Sequence, residues 1–180
     1  MKIIKKIVAG IAIVIALLLI IALFLPTAIK AEREIVINKP KQEVFAYVQS
    51  LKNQENYSKW ATMDPGMKKE YRGTDGTVGF VSGWDSEDDN VGKGEQEIKK
   101  ITDGERIDYE LRFIKPFEST AAAYMITEAA GDAQTKVKWG FSGKMNYPLN
   151  IMNLFMDPSK AVGDDFAVGL AKLKTVLEAK

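Results

Sequence analysis

The spacing of apolar residues along the chain changes three times, and each change marks a different kind of element. From Ile7 to Leu25 every residue is apolar or glycine, nineteen positions without a charge. At about 1.5 Å per residue this run makes roughly 28 Å of helix, close to a hydrocarbon core of about 30 Å. Arg33 to Asn38 then alternates as a strand does. Lys39-Pro40 opens a helix over Lys41 to Leu51, in which Val44, Phe45, Val48 and Leu51 share one face. A second short helix is predicted over about Asn53 to Trp60. Beyond it the period becomes two. Six strands are predicted, Lys68–Gly73, Thr77–Ser86, Gly92–Ile101, Arg106–Ile114, Phe117–Ala129 and Thr135–Met145, separated by residues that favour turns. Connections this short join antiparallel neighbours. Pro148 to Phe155 reads as a short apolar helix that Asp157-Pro158 interrupts. From Gly163 to Glu178 the period returns to that of a helix. Phe166, Leu170, Leu173 and Leu177 form its apolar stripe, with Asp165, Lys172, Lys174 and Glu178 on the other side.

The apolar run is longer than the about 7 to 15 residues usual in a secretory signal, and Ile29-Lys30-Ala31 is a poor cleavage site. It is therefore read as an uncleaved anchor. Lys2, Lys5 and Lys6 precede it, whereas Lys30 and Arg33 on the far side are mixed with Glu32 and Glu34. The positive-inside rule keeps the amino terminus in the cytoplasm. The expected organisation is a cytoplasmic segment (1–6), a transmembrane helix (7–25), a linker (26–32) and one extracytoplasmic domain (33–180) held close to the cell membrane as a single-pass protein.

Composition removes much chemistry. The chain has neither cysteine nor histidine. Disulfides, thiol nucleophiles, zinc thiolates, Ser-His-Asp and Cys-His arrangements and the usual base near neutral pH are thereby excluded. Without the three leading lysines, 22 basic residues face 24 acidic ones, so no basic field invites nucleic acid. Asp85-Ser86-Glu87-Asp88-Asp89-Asn90 lacks the glycine and glutamate of a calcium loop and reads as a solvated turn. Gly92-Lys93-Gly94-Glu95 is too short for a phosphate loop and opens a strand. No metal and no cofactor is expected. Glu95, Glu97, Glu110 and Arg112 lie on strands, where an inward carboxylate could act as acid or base. If Ile98 marks the inside, Glu95 and Glu97 point to water.

A strand, two short helices, six strands and a long terminal helix make an α+β fold with the helix laid across a curved antiparallel sheet of about seven strands. In REIVINKPKQEVFAYV, the Trp60 to Pro65 turn, DGTVGFVSGWDS, VGKGEQEIKKI, Lys115-Pro116-Phe117, TKVKWGF and DDFAVGLAKLKTVLE, the chain resembles the START-like, helix-grip superfamily (SRPBCC) of polyketide cyclase/dehydrase and lipid transport proteins. The resemblance covers about Arg33 to Glu178. It implies a cavity between the sheet and the terminal helix.

Alternation assigns inward sides to Phe80 and Trp84, to Tyr109, Leu111 and Phe113, and to Val137, Trp139 and Phe141. Phe155, Phe166, Leu170 and Leu173 would face them, with Trp60 near the cavity mouth. These residues either fill a core or line a pocket. Three functions stay open. One is a membrane-tethered module that binds a hydrophobic or amphipathic small molecule, a lipid or a polyketide-like compound. Another is an enzyme of cyclase, dehydratase or hydrolase type using cavity Tyr, Glu or Arg and water. The third is a partner-binding domain with a collapsed cavity.

Overall fold

The computed structural model describes residues 2–179. Met1 and Lys180, the outer limits of the expected cytoplasmic segment and domain, lie outside the described residues. The apolar run forms helix α1 (Lys2–Ala22), which takes in the three lysines and stops short of Leu25. It is followed by β1 (Ala28–Ile37), α2 (Lys41–Gln49), a 3₁₀ turn (Leu51–Asn56) and α3 (Lys59–Met63). Then come β2 (Lys68–Arg72), β3 (Val81–Asp85), β4 (Lys93–Thr102), β5 (Arg106–Lys115), β6 (Ser119–Gly131) and β7 (Gln134–Lys144). A second 3₁₀ turn (Leu149–Leu154) leads into α4 (Pro158–Glu178).

The seven strands form one antiparallel sheet in the order β1-β7-β6-β5-β4-β3-β2. Register shifts at Lys93/Gly94 and Ile98/Lys100 bend β4 and curve the sheet. α4 crosses the concave side, with Phe166, Leu170, Leu173 and Leu177 buried. Two glycines set its approach. A side chain at Gly169 would come to 2.8 Å from the Trp139 ring, and one at Gly163 would strike the Arg33 guanidinium.

Three boundaries differ from expectation, each for a physical reason. Asp157-Pro158 starts α4 instead of breaking a helix, because Pro158 takes the first turn and the Asp157 carboxylate accepts from Lys160 N at 2.9 Å. The linker expected over 26–32 is mostly strand. Ala28 to Glu32 pair with Gly140 to Lys144 of β7, and the small Ala31 is the buried residue where a larger apolar one would have revealed the alternation. The helix expected over 53–60 is split at Tyr57-Ser58, because Tyr57 turns into the core and meets Trp139 edge-on at 5.7 Å.

The start of β1 and the end of β7 meet where α1 enters. By strand register the starts of β2, β4 and β6 and the ends of β3 and β5 lie at this same, proximal end of the sheet. The second 3₁₀ turn fastens α1 there. Asn150 is buried, and its Nδ2 donates to the carbonyls of Ala22 at 2.7 Å and Leu25 at 3.1 Å, while Asn153 Nδ2 donates to Pro26 O at 2.7 Å. These bonds satisfy carbonyls that the end of a helix leaves open.

Candidate functional site

Between the proximal half of the sheet, the α3 region and the first turns of α4 lies a cavity of about 280 Å³, so the space is not collapsed. Of the residues expected to form it, Trp84, Leu111, Phe113, Trp139, Phe141 and Phe166 line it. Trp139 and Phe166 stack at 4.5 Å between ring centres, and Trp84 meets Phe113 edge-on at 6.1 Å. Trp84 is held flat over Gly94, where a side chain would collide with its ring, and its Nε1 donates to Val91 O at 3.2 Å.

The other expected residues lie elsewhere. Phe80 is buried ahead of β3 and stacks on Tyr71 at 6.1 Å, behind the cavity wall. Tyr109 and Leu170 belong to the filled core, as do Val137 and Leu173. Phe155 is 81% exposed. The segment before it is a 3₁₀ turn held to the end of α1, which carries Phe155 away from the sheet.

Alternation along strands could not find the contribution of the segment between α2 and β2. Leu51, Gln54, Glu55, Ser58, Trp60 and Ala61 line one wall, joined by Met67, Lys69 and Tyr71, while Val162 of α4 and Gln96 and Ala123 of the sheet also line it. Trp60 is part of this wall, set edge-on to Phe166 at 5.8 Å and Trp139 at 6.5 Å. Trp60 itself, a large aromatic at the end of a short helix, was the signal the sequence carried for this wall. All three tryptophans therefore face the cavity.

The polar groups of the wall are few. Lys69 Nζ pairs with Glu55 at 2.8 Å, Tyr71 donates to the same carboxylate, and Lys52 Nζ lies 4.8 Å from the centre of the Tyr71 ring. Gln54 Nε2 is buried with no hydrogen-bond partner among the described residues. Such a donor costs about 1–3 kcal/mol until an acceptor reaches it.

The carboxylates of β4 and β5 lie on the opposite, convex face. Arg112 Nε donates to Glu95 and Arg112 Nη1 to Glu97, both at 2.7 Å, and Glu110 joins them. Hydrogen bonds from Arg72 and Arg112 hold the Glu95 carboxyl below the usual glutamate range, and those from Arg112 and Lys99 do the same for Glu97. Gln96, between them in sequence, faces the cavity and Ile98 the core, so these acids are not cavity groups. In the acidic turn, Asp85 pairs with Lys93 at 2.7 Å, and Ser86 Oγ donates to Asp64 at 2.6 Å. The latter bond is the main cause of a lowered Asp64 carboxyl. Among the described residues no three acidic side chains are grouped to hold a metal.

Solved structures with this architecture include a protein of Nitrosospira multiformis, 18% identical, covering 82% of this chain and 95% of that one with a TM-score of 0.58. Truncated norcoclaurine synthase from Thalictrum flavum is 9% identical over 84% of this chain and 94% of its own, with a TM-score of 0.62. Ara h 8.0201 is 15% identical over 85% and 99%, with a TM-score of 0.57. At such identities the likeness is one of fold. No curated protein matches the sequence. The family described as polyketide cyclase / dehydrase and lipid transport matches residues 28–178, from the first residue of β1 to the last of α4. With its sheet, its terminal helix and nearly the whole domain matched, the chain belongs to that family.

Proposed function

We propose that the protein is a membrane-tethered binding domain that holds one hydrophobic or amphipathic small molecule in the proximal cavity. The observation that carries this reading is an open space lined by three tryptophans, two phenylalanines of the sheet and Phe166. A volume of about 280 Å³ is at the lower end of ligand clefts, which run from about 300 Å³, and suits one chain or ring system. Burial of apolar ligand surface supplies about 25 cal/mol per Å².

The tether is α1, with the amino terminus in the cytoplasm and the domain outside. Hydrogen bonds from Asn150 to the Ala22 and Leu25 carbonyls join it to the domain and support an uncleaved helix, since cleavage would remove them. A second reading, in which the cavity catalyses a proton transfer, rests on Glu55, Lys69 and Tyr71, the titratable cluster at the wall. The Thalictrum flavum relative is named as a synthase.

Mass spectrometry of small molecules that co-purify with the detergent-extracted full chain tests the binding reading. One apolar compound per chain is expected, lost in Leu111→Trp, where the larger ring occupies the cavity. An equal yield from folded wild type and folded L111W would contradict it. Conversion of the recovered compound by wild type and not by Glu55→Gln would favour the second reading.

A further inference from the structure

Outside the anchor helix itself, exposed large apolar side chains gather at the proximal end. Leu23 and Phe24 follow α1; Tyr147, Leu149, Met152, Leu154, Phe155 and Met156 surround the second 3₁₀ turn; Ile114 lies at the end of β5 and Phe117 in the turn that follows it. Among the described residues only Val36, Met63, Val78 and Val168 are comparably exposed elsewhere. Phe24, Phe117 and Phe155 are 84%, 59% and 81% exposed. Exposed apolar side chains gathered at one end in this way mark a partner or a membrane.

The occupant follows from the connection to α1. Asn150 and Asn153 bind the carbonyls of Ala22, Leu25 and Pro26, so the 3₁₀ turn sits within about one helical turn of the point where the apolar helix ends. From Ile7 to Ile21 the surface of α1 is apolar on all sides and unburied by the domain. Whatever surrounds α1 therefore also meets the 3₁₀ turn.

We infer that this crown, centred on Phe155 and Phe117, inserts into the outer surface of the same lipid bilayer that holds α1, and so turns the cavity toward the lipid. The inference rests on the tether reading and adds an orientation to it. The cavity-lining residues of β5 and α4 lie in the halves of these elements toward this end, Leu111 and Phe113, Val162 and Phe166, and those of β7 run from its middle, Trp139, toward the same end at Phe141. A ligand dissolved in the bilayer then enters from the lipid without crossing bulk water. Insertion of an apolar segment to a depth of about 5–10 Å is the usual mode of interfacial attachment.

The absence of cysteine lets single cysteines report position. The full chain in nanodiscs of phosphatidylcholine and phosphatidylglycerol, labelled with an environment-sensitive dye at Phe155→Cys, Phe117→Cys, Asp103→Cys and Ile13→Cys, is exposed to iodide in water and to nitroxide lipids. Labels at 155 and 117 should be blue-shifted and quenched by shallow nitroxide, and the label at 103, in the turn at the opposite end of the sheet, by iodide. With the label at 13 quenched by deep nitroxide, iodide quenching at 155 and 117 would overturn this inference alone. A label at 13 in water would overturn the tether and this inference together. Phe155→Asp with Phe117→Asp should slow uptake of a fluorescent fatty acid from vesicles several-fold while leaving its affinity in detergent unchanged, and an unchanged rate of uptake would also count against the inference.

Discussion

The two halves of the interface between the sheet and α4 have the same alternating pattern and opposite contents. In the distal half, Ile107, Val137, Leu173 and Leu177 are sealed at 0–1% exposure. In the proximal half, Leu111, Phe113, Phe141 and Val162 enclose an unfilled space. What differs is the third layer. α2 brings Val44, Phe45 and Val48 to the distal half and is locked to the sheet by Thr135 Oγ1, which donates to Lys39 O at 2.7 Å. The proximal half has only the 3₁₀ turn and α3, a helix of five residues with none buried. A curved sheet is wider than one helix can fill, and a second helix closes one half of it. The half left over is where a ligand fits.

That contrast makes stability and binding separable. The largest effect should come from Leu170→Ala or Leu173→Ala in the sealed half, about 2–5 kcal/mol by denaturant titration, since a cavity is created where none exists. Lys172→Ala on the exposed side of the same helix should change little. Equal costs at these positions would mean that the halves are not packed as described. Added volume sharpens the comparison: Val137→Phe should cost about 1–3 kcal/mol through overpacking. Ala123→Leu, which projects into the open space, should cost clearly less and reduce ligand binding.

A smaller effect is expected on the convex face, which serves neither half. Glu95 and Glu97 have lowered carboxyl pKa values in the fold and so bind fewer protons there than in the unfolded chain. Their contribution is complete above about pH 4.3, the ordinary glutamate value, and is lost as the pH falls through the lowered folded values. Arg112→Leu should remove about 1 kcal/mol or less at neutral pH, the scale of partly exposed pairs, and flatten the acid limb of the stability profile. An acid limb as steep as that of wild type would show that other groups set it. Smallest of all, Tyr109→Phe should be neutral or stabilising by about 1 kcal/mol, because the buried Tyr109 hydroxyl has no partner among the described residues. A clear loss of stability would mean that the hydroxyl is bonded, and that the distal half is less dry than its packing implies.

Most strands and the terminal helix were legible because period two and period 3.6 are strong signals when one face is buried. The start of β1 was not, because Ala31 is small and Lys30 and Glu32 flank it. Part of the cavity was legible for the same reason as the strands and the terminal helix: Trp84, Leu111, Phe113, Trp139 and Phe141 point inward by alternation, and Phe166 by the helical stripe of α4. Alternation could not tell a filled position from an unfilled one on the same strand. Tyr109 and Leu111 differ only in which layer stands opposite, and that depends on where α2 packs. Phe155 looked like another inward aromatic because nothing local marks Asn150 as the residue that ties its turn to α1. In the wall from Leu51 to Ala61 only Trp60 was placed near the cavity, because a 3₁₀ turn and a five-residue helix show no sustained stripe that would mark which side faces in.

Energy transfer from the three tryptophans to cis-parinaric acid tests the central claim most directly, since all three line the cavity. The full chain in nanodiscs should show saturable transfer with one acid bound per chain, lost in Ala123→Leu and retained in Lys172→Ala. Transfer that rises without saturation, or that is the same in folded wild type and folded A123L, would contradict a ligand site in the proximal half.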